Sequence, residues 1–527
     1  MPRIADSPLR LLTTGFALVA LLAAAGCKPE DSSATTSSGA TERSTTESGD
    51  GSGADVPFDP VAANGPIFED WPLPQVAIVI TGEQHGYIEP CGCAGLNNQK
   101  GGLKRRHALL EQLRETGWPV VALDVGGMVR RFGLQEEIKF DTSFRSLEAM
   151  GYVAVGLGPD DLRLPPESVL STAANLEDSS PLRLVSANVG LFGFDESLPP
   201  QSHRIVEVGG MRIGITSILG AEYQKRVESD EIELGGAAEY LEKVVPQLRE
   251  QADLLVLLSH ATPDESRALA TQFPDFDIVA TAGGAEEPPR KAEAIGDGKT
   301  WLVEMGHKGM YAAVLGFFKD EDHWRRYQRV PLDSRFKDSA DVQRLFVEYQ
   351  RRLETEGFSG LGLTPGPHPR GQGGDDPALG TFAGSSSCRE CHPTAYGIWS
   401  TTGHAHATET LTKLDPPRQF DPECISCHST GWNAQEYVPY ETGFVGIEET
   451  PEMVSNGCEN CHGPGQAHVD AERAKDDLSR MNRLRQSMQL TSATAETMVC
   501  GRCHDHDNSP EFDFASYWKK IEHRGKQ

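Results

Sequence analysis

Apolar residues are distributed along this chain in four different ways, and each distribution predicts a different kind of structure. Leu11 to Ala25 is one short unbroken apolar run behind Arg3 and Arg10. From Asp31 to Asp55 Ser, Thr and Gly dominate and almost no apolar residue occurs. From about Gln75 to Asp333 short apolar blocks alternate with stretches of helical spacing. From Ser385 onward Leu, Ile and Val are sparse, and no long periodic run recurs.

The third region carries most of the predicted elements. Val76-Ala77-Ile78-Val79-Ile80 has the continuous apolar pattern of a buried strand. A helix is predicted from Leu103 to Glu115, then a strand at Val120-Val121-Ala122-Leu123. Later strands are expected at Tyr152–Val155, Leu184–Ser186, Leu254–Leu258 and Ile278–Ala280. Ile205–Val208 and Met211–Ile218 flank Gly209-Gly210, a two-residue hairpin signal. Strands of parallel type alternating with helices, plus a hairpin, predict a mixed α/β sandwich. Ala340 to Gly357 has the spacing of an amphipathic helix, and the Gly/Pro-rich stretch 359–380 reads as a linker.

The first two regions predict an exported, tethered chain. A short apolar core behind positive charges is a secretory signal. Leu22-Ala23-Ala24-Ala25-Gly26-Cys27 resembles a bacterial lipobox, which implies cleavage before Cys27 and a lipid on its sulfur, with a plain cleaved signal as the alternative. The polar stretch behind it has the composition of a disordered tether. The expected organisation is a signal at 1–27, a tether at 28–70, the α/β domain at 71–335, a helix and linker at 336–380, and a last domain at 381–527.

Charge and cysteines change the picture next. The 527 residues carry a formal net charge of −28, which disfavours nucleic acid and anionic lipid as partners; the partners expected on other grounds are a redox protein or small redox substrate, and the membrane through the lipid on Cys27. Of 11 Cys, eight form four C-x-x-C-H motifs: Cys388/Cys391/His392, Cys424/Cys427/His428, Cys458/Cys461/His462 and Cys500/Cys503/His504. In this pattern two thiols add across the haem vinyl groups and the adjacent His binds the iron. Zinc ribbons pair C-x-x-C units without demanding the following His. Four haem c groups are therefore expected, and they supply the apolar surface that the sparse aliphatic residues of this region cannot.

The region 385–505 resembles the tetrahaem cytochromes that accept electrons from hydroxylamine oxidoreductase. The resemblance rests on Ile398-Trp399 and His404-Ala405-His406-Ala407 after the first motif, and on Asn456-Gly457-Cys458 through His462-Gly463-Pro464-Gly465 with His468. It implies mainly bis-His iron and allows an open position at one haem. His404 and His468 are the best-placed distal ligands, with His406, His506 and His523 second to them.

The α/β region is similar in layout to the calcineurin-like metallophosphoesterases of the periplasmic 5′-nucleotidase branch. The matching stretches are Thr81-Gly82-Glu83-Gln84-His85-Gly86, Gly101-Gly102-Leu103-Lys104-Arg105, Asp124-Val125-Gly126-Gly127, Gly158-Pro159-Asp160-Asp161, Ser259-His260 and Gly283-Gly284-Ala285. The resemblance implies a four-layer sandwich closed by a strand pair within Trp301–Phe317. It also implies a two-metal site, but that ligand set is degraded. Glu83 stands for an Asp, Gly127 for the bridging Asp, Pro159 and Asp160 for the Asn and catalytic His, and Gly283 and Ala285 for the last His pair. Glu83, His85 and His260 remain, enough for a single ion but not for a two-metal phosphoesterase. Beside them Cys91-Gly92-Cys93 is a candidate redox or soft-metal pair. The expected function is an anchored extracytoplasmic electron carrier joined to an inactive 5′-nucleotidase-like domain. The alternatives are an active nucleotidase with a cytochrome tail, and a docking module for the cytochrome.

Overall fold

Alternation along the strand Val76–Thr81 sends its side chains into two different cores. Val76, Ile78 and Ile80 face one apolar layer and Val79 the other. The structure is a computed structural model that describes residues 58–524, apart from 93–94, 177–178, 196, 320–323, 373–375 and 476. The signal, Cys27 and Cys93 lie outside the described residues.

Two sheets build the first domain. One has the spatial order Arg325–Pro331, Tyr311–Phe317, Val76–Thr81, Val120–Asp124, Tyr152–Val155. Its last three strands run parallel, with Ala77 opposite Val120 and Thr81 opposite Asp124. The other has the order Glu293–Ile295, Thr300–Glu304, Ile278–Thr281, Leu254–His260, Met211–Leu219, Arg204–Val208. Ile78, Ile80, Leu123, Ile215, Val256 and Ile278 meet between the sheets. Helices Leu103–Glu115, Leu134–Ala149 and Ala340–Gly360 cover the outer face of the first sheet through Leu109, Phe144 and Phe346. Helices Ala237–Gln251 and Pro263–Gln272 cover the second through Leu241, Leu248 and Leu269. The result is a four-layer α-β-β-α sandwich, each fully buried aliphatic side chain contributing about 1.5–3 kcal/mol.

Four expectations need correction. Leu184–Ser186 forms no strand, only the isolated bridges of Leu184 to Val155 and Val185 to Gln201. The segments within Trp301–Phe317 are not partners: Thr300–Glu304 joins the second sheet and Tyr311–Phe317 the first. Both are apolar, and hydrophobic period does not say which sheet a strand joins. Residues 58–70 are not a tether, because helix Pro60–Asn64 is capped by Asp59 and Asn64 Nδ2 donates to Asp333 Oδ2 at 2.7 Å. The stretch 359–380 is not a free linker either. Gly366 bridges Tyr440, the His368 ring packs on Tyr440 and Phe382, and Arg370 donates to the His462 carbonyl at 2.6 Å.

The second domain is mainly short helices and irregular chain, among them Ser385–Arg389, Pro422–His428, Cys458–His462, Gln466–Ala474 and Leu478–Ser487. Its main apolar cluster is Phe382, Leu411, Ile425, Trp432, Phe444 and Met453. Among the described residues no helix is long and apolar enough to cross a membrane.

Candidate functional site

Each C-x-x-C-H motif folds as about one helical turn, which sets both sulfurs and the imidazole on one side. His392 N donates to the Cys388 carbonyl and His504 N to that of Cys500, both at 2.9 Å. None of the eight motif cysteines is in a disulfide. The second, third and fourth motifs line one cavity of about 1530 Å³, together with His404.

The first motif differs from the other three. Cys391, expected to hold haem like the other seven thiols, is exposed, and neither Cys388, Cys391 nor His392 lines the cavity. The cause is local. Helix Ser385–Arg389 buries Ser385 and then ends, and Arg389, Glu390 and Cys391 turn outward into solvent. Spacing fixes which residues share a turn, but not how deep that turn sits.

Three of the four motif histidines face a second imidazole. His392 lies opposite His468 with ring centroids 6.5 Å apart, His504 opposite His404 at 5.9 Å, and His462 opposite His523 at 5.8 Å. With metal–imidazole bonds of about 2 Å on each side, two imidazoles sharing one ion have centroids about 6 Å apart. The outer nitrogens are oriented for this. Nδ1 of His428 donates to the Ala407 carbonyl at 2.8 Å and Nδ1 of His462 to that of Met488 at 2.7 Å, leaving Nε2 as the lone-pair donor to a metal. His504 Nδ1 is hydrogen-bonded to Ser509 Oγ at 2.9 Å. The cavity, the paired rings and the fixed tautomers fit haem c.

The order of preference among distal candidates changes. His404 and His468 stand opposite motif histidines, and so does His523, which ranked below them on sequence because a C-terminal position says nothing about what it faces. His406 is turned to Glu409, 3.3 Å away, and His506 is exposed. Among the described residues no histidine ring faces His428. The attachment sites also neighbour one another: Cys388 lies beside Cys458, and Cys427 beside Cys503.

The second candidate lies where the strands of the sandwich end. Glu83 and His85 follow Val76–Thr81 in a turn that holds both in the left-handed region, φ 50° and 53°. Such strain in non-glycine residues persists only where the surroundings fix it. Here Glu83 N donates to Gly126 O and His85 N to Gly127 O, both at 2.9 Å. Glu83 Oε2 is 3.1 Å from His85 Nε2, and Oε1 is 3.2 Å from His260 Nε2. Although burial opposes ionisation, His260 and His85 together hold the Glu83 carboxyl down at about 2. His307, from the turn after Thr300–Glu304, brings its ring to 5.4 Å from that of His85. Sequence reasoning missed His307; the signal was a histidine in a Gly-His-Lys-Gly turn behind an apolar strand.

The other carboxylates of the resembled motifs have structural partners. Asp124 accepts from Arg106 at 3.0 Å, Thr81 at 2.6 Å and Gly126 N at 2.9 Å. Asp161 accepts from the backbone of Gly127, Gly158 and Val129, while burial pushes its carboxyl up to about 7. Asp160 is held by Arg226 at 2.6 Å. Cys91 is disulfide-bonded, and its backbone pairs with that of Lys100.

The two candidate sites meet at a domain junction. Asp507, just after the fourth motif, accepts from Tyr87 Oη and pairs with Lys308 Nζ, both at 2.7 Å. Tyr87 is two residues from His85, and Lys308 adjoins His307. The second motif is docked as well. Lys139 Nζ lies 2.6 Å from Glu423, the residue before Cys424, and Asp421 accepts from Gln135 at 3.0 Å and Gln350 at 3.1 Å. Glu89 adds an ion pair to Arg418.

Residues 387–463 match the family model of cytochrome c554 and c-prime. Over 98 residues the chain is 32% identical to cytochrome c-554 of Nitrosomonas europaea, covering 16% of this chain and 39% of that protein. Over 184 residues it is 22% identical to an apyrase of Aedes albopictus, covering 30% of this chain and 32% of the relative. The chain thus spans well under half the length of these curated relatives. Among solved structures, a 5′-nucleotidase precursor from Thermus thermophilus is similar with a TM-score of 0.45 at 18% identity, covering 53% of this chain and 59% of the other. Residues 387–463 are thus similar to the cytochrome c554 and c-prime family, and part of the chain is similar to the apyrase.

Proposed function

We propose that this chain is an extracytoplasmic electron-transfer protein carrying four haem c, held at a membrane by a lipid on Cys27, with a neighbouring domain that does not hydrolyse phosphoesters. The observation that carries the electron-transfer reading is the set of three imidazole pairs, 5.8 to 6.5 Å between centroids, beside four C-x-x-C-H turns. Haem c supplies a one-electron iron couple at each motif. His392 with His468, His504 with His404, and His462 with His523 would each hold an iron between two imidazoles, an arrangement that suits electron passage and leaves no ligand site. Among the described residues His428 stands without a second imidazole, so its site is the one where a small redox substrate would reach the metal. Cys388 beside Cys458, and Cys427 beside Cys503, keep neighbouring groups close enough to exchange electrons. With Cys391 at the surface, the first site is the one a redox partner protein reaches. Asp421 and Glu423 fix the second motif on the sandwich, so that domain holds the open site in place.

In the sandwich we propose room for one ion at Glu83, His85 and His260, beside a Cys91/Cys93 pair open to thiol redox chemistry. Asp124, Asp160 and Asp161 are committed to arginines and backbone amides, and Gly127 and Gly283 bring no ligand.

The test is a reduced-minus-oxidised spectrum with pyridine haemochrome quantitation and electron paramagnetic resonance on haem-loaded protein. Four haems, three low-spin and one high-spin, are expected. Two or more high-spin centres, or fewer than four haems, refute the assignment. The nucleotidase alternative is checked with a nucleoside phosphate and Mn²⁺: turnover abolished by His85→Ala would reinstate it.

A further inference from the structure

The outer helical layer of the sandwich, away from both sites described above, sets one imidazole against two carboxylates. His107 and Glu111 lie four residues apart on the helix Leu103–Glu115 and so share a face. Asp341 stands in the first turn of the helix Ala340–Gly360, which packs against it. One ligand atom from each of the three comes within 4.8 Å of the others, and among the described residues no other group of three His, Cys, Asp or Glu side chains does so.

His107 is the informative member. It is 4% exposed, and its ring is pinned at one end. Nδ1 lies 2.6 Å from Ser339 Oγ, the hydroxyl that caps the second helix by accepting from Val342 N. That oxygen has a second lone pair for the Nδ1 proton, which leaves Nε2 as a bare lone pair. Burial lowers the proton affinity of the ring although Glu111 and Asp341 pull the other way, so the imidazole is neutral. Nε2 faces Glu111 Oε1 from 3.8 Å, beyond hydrogen-bond distance, and makes no hydrogen bond among the described residues. A neutral, buried ring aimed at carboxylates that it does not reach leaves a gap suited to a cation.

Ligand atoms sharing an ion with bonds of about 2 Å lie roughly 3–4 Å apart. Both carboxylate side chains are half exposed, so their rotation closes the remaining distance while the buried ring stays fixed. Asp341 pairs with Arg344 at 2.6 Å, and that arginine is an exposed arm free to swing aside. We propose that His107, Glu111 and Asp341 hold one first-row divalent metal ion of the zinc class, with water completing its shell and Ser339 as the positioning residue that orients the ring. The imidazole separates this set from the all-oxygen shells of Mg²⁺ and Ca²⁺. The ion ties the helix Leu103–Glu115 to the start of Ala340–Gly360, the helix whose Gln350 reaches Asp421 of the second domain. All three ligands sit on helices, so the site is independent of the strand-end pocket around Glu83.

The experiment uses the haem-loaded full chain carrying Glu83→Gln, treated with chelator and brought to equilibrium with Zn²⁺ by dialysis. Elemental analysis counts zinc, and zinc-edge X-ray absorption identifies its ligands. One zinc per chain is expected, bound by one imidazole nitrogen and by oxygens. Glu111→Gln and Asp341→Asn, both at the surface, are each expected to weaken binding about tenfold or more, and Ser339→Ala to weaken it about tenfold. With Glu83 intact, the double change of Glu111→Gln and Asp341→Asn is expected to lower the zinc count by one, whatever the strand-end pocket holds. That count decides the matter where Glu83→Gln unfolds its pocket. Binding left unchanged by Glu111→Gln and Asp341→Asn, a zinc without imidazole, or no zinc in the folded chain overturns the site. Unweakened binding in Ser339→Ala overturns the positioning role.

Discussion

The sandwich buries three layers of aliphatic side chains between its sheets and helices, whereas the domain after Thr381 gathers little more than Phe382, Leu411, Ile425, Trp432, Phe444 and Met453 beside a cavity of about 1530 Å³. In the first domain the chain brings its own core. In the second the space a core would fill is lined by cysteines and histidines with defined hydrogen-bond partners. Few aliphatic residues therefore need not mean disorder; they can mark a fold whose interior arrives as a cofactor.

The severest challenge to that contrast is to withhold haem. Protein made without haem attachment should lose the whole domain from about residue 381 to protease while the sandwich stays resistant. A compact, resistant haem-free C-terminal domain would falsify the contrast. Next in size is a cavity in the sandwich: Ile78→Ala, at a fully buried position between the sheets, should cost about 3 kcal/mol in urea unfolding of the haem-loaded chain. A cost near zero means the layers are not the main support. At the junction, Lys139→Met removes the cation paired with Glu136 and leaves Glu423 with Arg131 alone. We expect about 2 kcal/mol, below the range for a fully buried pair, since the Glu423 side chain is 34% exposed. An unchanged unfolding midpoint would show the docking to be incidental. Smaller again is His523→Ala, expected to leave the fold intact and turn one low-spin centre high-spin by electron paramagnetic resonance. His406→Ala should change neither spectrum nor stability, and a new high-spin signal there would put the wrong histidine opposite a motif.

Much of the sandwich was legible because its strands are continuous apolar blocks and its helices keep their spacing. The helix Leu103–Glu115 begins and ends where the pattern predicts. Less legible was which sheet takes Thr300–Glu304 and which takes Tyr311–Phe317, since both are apolar blocks that differ only in long-range pairing. The haem motifs are visible as local spacing, but the depth of each turn and the partners of its histidine are not. Nothing in the spacing of Cys388 and Cys391 announces that the second thiol is exposed. His468 lies 6.5 Å in ring centroids from His392 although two other motifs intervene in sequence, and nothing local in Ile521-Glu522-His523 announces His462. His307 escaped for a related reason: its turn matters only because Gly309 is pinned to Glu83 across the domain. The tether was drawn too long because composition near Asp59 and Pro60 is polar, while the contact that orders it, Asn64 with Asp333, is distant in sequence.

The pairing of His462 with His523 has a consequence for biogenesis. In a chain threaded through a membrane from its N-terminus, ligand order becomes a time order. His404 emerges before the motif it faces and waits for it. On the proposed export and haem ligation, His523 would emerge after all four motifs, and the third centre would remain half-ligated until the residues just past the helix Phe514–Ile521 had been delivered. A stall or truncation late in export would therefore leave a chain with every thioether site present and one exchangeable coordination position too many.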